Sequence, residues 1–212
     1  KQKTAYEIGV RLVGSEMCIR DSLEQLKGMK MRFFGLGARV MQKIGVSTQL
    51  LAGGDIFPAL EKGVIDATEF SMPAMDIKYG FYQIAKNNYF PGWHQQVSVS
   101  HLLINMDKWN SLSDQNQALI EIGAGESLMY IYAETEYVNP YAMVEMGEKY
   151  GVVTRRWTDD QIAVFEQAWR DVVAEDSASD PVFKKVADSY FSFRKDYKKW
   201  GDAQSLNATY LD

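Results

Sequence analysis

The chain has 212 residues, 46% of them hydrophobic, enough to bury one large core or two small ones. A formal net charge of −5, with basic residues scattered apart from isolated pairs such as Arg155-Arg156 and Lys198-Lys199, argues against a nucleic-acid partner. No run of ~18 apolar residues is present to span a membrane as a helix, and the lone Cys18 excludes an internal disulfide and a thiolate metal cluster.

Residues 1–22 lack sustained helical or strand periodicity and carry no apolar stretch of the signal-peptide kind. Within them "AYEIGVRLVGSEMCIRDS" is similar to translated sequencing-adapter sequence, so this segment is expected to be non-native; a natural irregular arm is the alternative. From Leu23 the pattern becomes regular. "MKMRFF" reads as a strand, "ARVMQKIG" as a helix closed by Gly45, and "VSTQLLA" as a second strand. Asp55 is placed to cap the next helix, with Pro58 tolerated in its first turn and Gly63 at its end, and "VIDATEF" supplies a third strand.

Such a β-α-β-α-β series at short spacing makes the strands parallel and puts their carboxyl ends on one edge. Arg32 lies late in the first strand and Glu69 late in the third, so both are expected at the crevice outside that edge. An unpaired carboxylate is rejected from a strand interior, which favours the same placement for Glu69.

Farther along, "PAMDIKYGFYQIAK" reads as a helix with Pro73 near its start, "NNYFPGWHQQ" as a loop and "VSVSHLLIN" as a strand. Ser113 is placed to cap a long helix running toward Val138, with Leu119, Ile122, Met129 and Ala133 roughly on one face and Pro140 kinking or ending it. A strand at "GVVTRRW" precedes a helix from about Asp159, with Ile162, Phe165, Trp169 and Val172 along one stripe. Asp180-Pro181 starts a last helix. Its residues Phe183, Val186, Tyr190, Phe193, Tyr197 and Trp200 recur three and four apart, a heptad-like seam expected to pack on its own lobe, with a partner chain as the alternative.

The absence of repeats and linkers implies interleaved rather than consecutive domains. The organisation is read as a separate N-terminal segment (1–22), a β-α-β-α-β unit (23–71), crossing segments with a long helix (72–150), and a strand with C-terminal helices (151–212).

Several enzyme classes find no support. "GLGARV" begins like a dinucleotide fingerprint but has Val40 where the third glycine is needed, and "GGDIFPALEKG" lacks the lysine and hydroxyl of a phosphate loop. His94 and His101 are not in H-E-x-x-H spacing, and no Gly-x-Ser-x-Gly elbow occurs. General-base work by Glu69 on a small acid is the remaining enzyme reading.

Taken together, "LKGMKMRFF", "GGDIFPALEKGVIDATEFSMP", "GFYQIAKNNYFPGWHQQ" and "LLINMDKWNSLSDQ" resemble the extracytoplasmic solute receptors of TRAP transporters, most closely the subgroup binding 2-oxo acids and related monocarboxylates. The resemblance runs from about Leu23 to Trp200. It implies an α/β, periplasmic-binding-protein-like two-lobe fold with long C-terminal helices, incomplete here because family chains are much longer. It also implies a periplasmic binding protein rather than an enzyme, which takes up a small organic monocarboxylate and delivers it to membrane permease subunits. A homodimer through the C-terminal helix is a further option.

By the same resemblance Arg32 of "KMR" matches the carboxylate-clamping arginine, for which a planar guanidinium suits bidentate recognition. A surface arginine with a packed stem is the alternative. Glu69, the backbone carbonyl of Phe70 and the side-chain carbonyl of Gln95 (or, in a shifted alignment, Gln96) would form an all-oxygen set for Na⁺ or Ca²⁺. That cation is expected between Glu69 and the bound acid, since the two anions repel. Phe70 stands where the subgroup often has Trp, and Phe70, Gln95 and Arg32 are the expected ligand contacts. A helix-capping or salt-bridged carboxylate remains open for Glu69. Trp93, Phe34 and Tyr79 are candidate pocket walls or core residues, and Asn105 is given no ligand role.

Overall fold

The computed structural model describes residues 23–95, 98 and 100–205. The expected non-native segment 1–22 and the alternative ligand Gln96 lie outside the described residues.

After a 3₁₀ turn at Leu23–Leu26, β1 (Lys30–Arg32), α1 (Gly35–Lys43), β2 (Ser47–Gln49), α2 (Gly53–Glu61) and β3 (Ala67–Thr68) follow in the expected order. The sheet order is β2-β1-β3, all parallel, with Met31 opposite Thr48 on one side and Ala67 on the other. Gly45 closes α1 in a left-handed conformation (φ 93°), where a side chain is strained. Asp55 does not cap α2: Ala52 holds that position and Asp55 lies in the first turn, where its charge still suits the helix N-terminus. The helix therefore begins three residues earlier than expected, and Pro58 sits in its second turn.

Three differences follow between Met72 and Asn110. The expected single helix is split into α3 (Pro73–Lys78) and a 3₁₀ turn at Phe81–Gln83, because Gly80 adopts φ 76° and ends the first piece. The expected loop at "NNYF" is β4 (Asn87–Phe90), paired in parallel with β5 (Val153–Arg156), Asn87 opposite Val153 and Phe90 opposite Arg156. Conversely, the expected strand ending at Asn105 forms no ladder among the described residues. Leu103 is 90% exposed, and Asn105 instead caps the short α4 (Met106–Asn110).

The long helix α5 runs Asp114–Glu148 from its Ser113 cap and continues past Pro140. The expected stop fails because the helix is held on both sides of the proline. Asn139 accepts from Ala74 N–H (3.0 Å), which anchors α3, while Ala142 and Met146 beyond it are buried. The expected apolar face does not reach a core in this chain, since Leu119, Ile122 and Met129 are exposed.

The helix α6 (Asp159–Ser179) behaves as its stripe predicts, with Phe165 and Val172 fully buried. Val172 and Ala168 pack on Val40 of α1, and Arg39 and Lys43 of α1 pair with Asp176 and Glu175. Thr158 and Gln161 form a reciprocal capping box at its start. Thr158→Ala is expected to lower stability by about 1 kcal/mol, read as a shift in the denaturation midpoint at unchanged slope; an unshifted midpoint contradicts the cap's role.

The final helix α7 (Pro181–Gln204) starts at its Asp180 cap as expected. Its seam does not pack on its own lobe. Phe193 and Trp200 are 64% and 60% exposed, and Val186, Tyr190 and Tyr197 are exposed as well. The contact with α6 is made instead by the adjoining face, through Phe191 against Trp169 and Arg194 over the Trp169 ring. Among the described residues no helix is long and apolar enough to cross a membrane.

Candidate functional site

Beyond the last paired residues β1 stays registered with both neighbours: Glu69 N–H, after β3, donates to the carbonyl of Arg32 (3.0 Å), and Phe33 N–H donates to that of Gln49 at the end of β2 (3.1 Å). This holds Arg32 and Glu69 side by side at the carboxyl edge, as the topology predicts. Arg32 is 9% exposed, which removes the surface-arginine reading. Its Nη1 donates to Oε2 of Glu69 at 3.0 Å and to the Glu69 main-chain oxygen at 2.5 Å, and its Nε donates to Leu51 O at 3.3 Å. The rings of Phe34 and Phe70 lie 5.5 and 5.8 Å from the guanidinium carbon, a cation–π frame on both sides.

The two charges therefore meet directly, the salt-bridged arrangement that the sequence left open for Glu69. A cavity of about 670 Å³ opens over Glu69, Phe70, His94, Gln95 and Asp76, with Arg32 behind Glu69 rather than on its wall.

Phe70 is pinned edge-on between Phe81 (5.3 Å) and Tyr79 (4.7 Å). Phe34 and Trp93 are on the cavity wall, and Trp93 also stacks on buried Phe165 at 4.9 Å. Tyr79 is off the wall, behind Phe70. Gln95 lines the cavity with its amide nitrogen donating to Ser98 Oγ (2.6 Å), which leaves the amide oxygen as its remaining polar atom. The Phe70 carbonyl accepts no main-chain hydrogen bond among the described residues. The Glu69 carboxylate, the Phe70 carbonyl and the Gln95 amide oxygen thus all belong to residues lining one cavity, and as oxygens they suit a hard cation rather than zinc. No cluster of three His, Cys, Asp or Glu side chains suited to a metal occurs among the described residues.

Two residues at the site had no signal in the sequence. His94 places Nε2 3.4 Å from Oε1 of Glu69. Asp76, in the first turn of α3, faces the same cavity, and burial, helped by the charge of Glu69, pushes its carboxyl up to about 7. Between the ordinary carboxylate value and about 7 the folded protein holds a proton that the unfolded chain has lost, so stability falls as pH rises through that window. Asp76→Asn is expected to flatten this slope, gaining on the order of 2 kcal/mol over the unsubstituted protein between pH 5 and pH 7 in cation-free buffer. Denaturation midpoints at the two pH values check it, and parallel losses in both proteins contradict it.

The family described as bacterial extracellular solute-binding protein, family 7, has a model that matches residues 6–180. The chain belongs to this family. The matched range reaches back into the segment 1–22 that the sequence set apart. A curated relative, the monocarboxylate 2-oxoacid-binding periplasmic protein of Nostoc sp. (strain PCC 7120), is 30% identical over 186 residues, covering 88% of this chain and 51% of the relative. A TRAP transporter solute-binding protein from Bordetella bronchiseptica, crystallised as a mixed-occupancy dimer with calcium and picolinate at the occupied site, superposes with a TM-score of 0.78 at 31% identity, covering 86% of this chain and 54% of that one. A Colwellia psychrerythraea homologue with bound calcium and pyruvate gives 0.76 at 25% identity, over 86% and 56%. The chain spans about half the length of the relatives it matches. Family 7 membership establishes an extracellular solute-binding family and an α/β, periplasmic-binding-protein-like fold.

Proposed function

We propose that this chain is part of a periplasmic receptor of a TRAP transporter, with residues 23–71 from its second lobe and later segments returning to the first, which binds a small 2-oxo monocarboxylate together with Ca²⁺ or Na⁺ and passes it to membrane permease subunits. The observation that carries this reading is the buried Arg32 guanidinium behind Glu69 at the edge of a cavity that Glu69, Phe70 and Gln95 also line. Arg32 would take the acid's carboxylate, and Glu69, Phe70 and Gln95 would hold the cation. Bound there, the cation would supply the positive charge that lets Glu69 and the acid share one site. The calcium and pyruvate or picolinate of the two similar structures support the same pairing.

The role is read as binding rather than catalysis, which the solute-binding family and the engagement of Oε2 of Glu69 by Arg32 support. A homodimer through α7 is part of the proposal, supported by its exposed seam. Calorimetric titration of the full-length protein with pyruvate, with and without calcium, is expected to show stoichiometric, calcium-strengthened binding and no product. Turnover, or no heat under either condition, overturns the reading.

A further inference from the structure

The pairing of Glu69 leaves one of its oxygens unexplained. Arg32 holds Oε2 and the main-chain oxygen of the same residue, and Thr68 Oγ1 also donates to that main-chain oxygen (2.9 Å). The remaining oxygen, Oε1, points at His94, whose Nε2 is buried and forms no hydrogen bond among the described residues. Bringing the two from 3.4 Å to the usual ~2.8 Å of a charge-assisted hydrogen bond needs only a small side-chain adjustment.

The imidazole is well fixed for this task. It stands edge-on to Phe33 (4.8 Å, 68°) and Trp93 (5.3 Å, 66°), with Phe34 at 6.5 Å. Phe33 and Phe34 directly follow Arg32, and Trp93 directly precedes His94, so the chain segments that bring the site residues also bring the aromatic box. Such a box restrains the ring plane and keeps water from Nε2, leaving Glu69 as the polar group it faces.

We propose that His94 is a positioning residue: it fixes Oε1 of Glu69, so that when an incoming acid takes the Arg32 guanidinium the released carboxylate stays aimed at the cation. The inference rests on the solute-binding reading and deepens it. His94 then acts on cation affinity through Glu69 and has little effect on the acid's contact with Arg32. A residue that only packs the wall would disturb both, independently of Glu69.

The test uses the full-length protein and two titrations: calcium at saturating pyruvate, and pyruvate in calcium-free buffer. His94→Leu is expected to lose calcium affinity by about 10-fold or more, the usual effect of removing a partner of a metal-ligating side chain. Its pyruvate affinity in calcium-free buffer should stay within about 3-fold. His94→Gln, which restores an N–H donor, should recover most of the calcium affinity, and it keeps the test available should the leucine variant fold poorly. In a Glu69→Gln background His94→Leu should have no further effect on calcium. Unchanged calcium affinity in His94→Leu, or an equal loss in the Glu69→Gln background, overturns the positioning role while leaving the solute reading intact. A wild type that binds neither calcium nor pyruvate overturns the solute reading, and this inference with it.

Discussion

Replacing Arg32 by Lys is expected to weaken binding of pyruvate to the full-length protein about 10- to 100-fold. A hydrogen bond to a charged group contributes roughly 1.5–3 kcal/mol, and a lysine keeps the charge but loses the planar fork that meets both carboxylate oxygens. The structure sharpens the expectation, because Nε and Nη1 already serve Leu51, the Glu69 main chain and the Glu69 carboxylate at once. An ammonium cannot occupy those positions and also offer a planar pair of donors to the acid. In cation-free buffer Glu69→Gln should weaken pyruvate binding less than Arg32→Lys does, since it removes an anion with which the acid competes. Calorimetric titration of the two variants side by side decides the matter, and equal affinity of Arg32→Lys and wild type sinks the assignment of Arg32 to the carboxylate.

The second large effect concerns folding. Arg32 and Glu69 have side chains only 10% and 14% exposed, so each is the main neutralising partner of the other. Removing one member of a buried pair leaves an uncompensated charge, which costs about 3–5 kcal/mol. Glu69→Ala is therefore expected to destabilise the ligand-free protein by that amount, well beyond the loss of a surface ion pair. Removing the charge of Glu69 also relieves part of the upward push on the Asp76 carboxyl, since repulsion from Glu69 is one of its causes. The double variant Arg32→Met/Glu69→Leu should recover much of the stability. Urea midpoints for the three proteins check this, and a Glu69→Ala loss under about 1 kcal/mol contradicts a buried pair.

The strand-helix series from Lys30 to Thr68 was legible because strong local signals agree there: short apolar strands, helices of ordinary length, and glycines at the stops. The placement of Arg32 and Glu69 on one edge follows from parallel topology alone. Their direct contact does not, since nothing in their spacing says whether two side chains at one rim touch.

Elements that depend on distant partners were misread. β4 is a polar run, Asn87–Phe90, that becomes a strand only because β5 lies beside it 66 residues later in the chain. "LLIN" has the composition of a strand but no ladder among the described residues, so it stays irregular and exposed. Pro140 shows local propensity yielding to tertiary anchoring through Asn139, Ala142 and Met146. His94 and Asp76 are silent in the sequence for a similar reason: each gains its role from Glu69, which lies 25 residues before one and seven before the other.

The most direct test of the account is a crystal structure of the full-length protein with pyruvate and calcium. The pyruvate carboxylate is expected on the Arg32 guanidinium, with Glu69, the Phe70 carbonyl and Gln95 turned to the cation. Pyruvate bound elsewhere, with Arg32 still closed on Glu69, would contradict it.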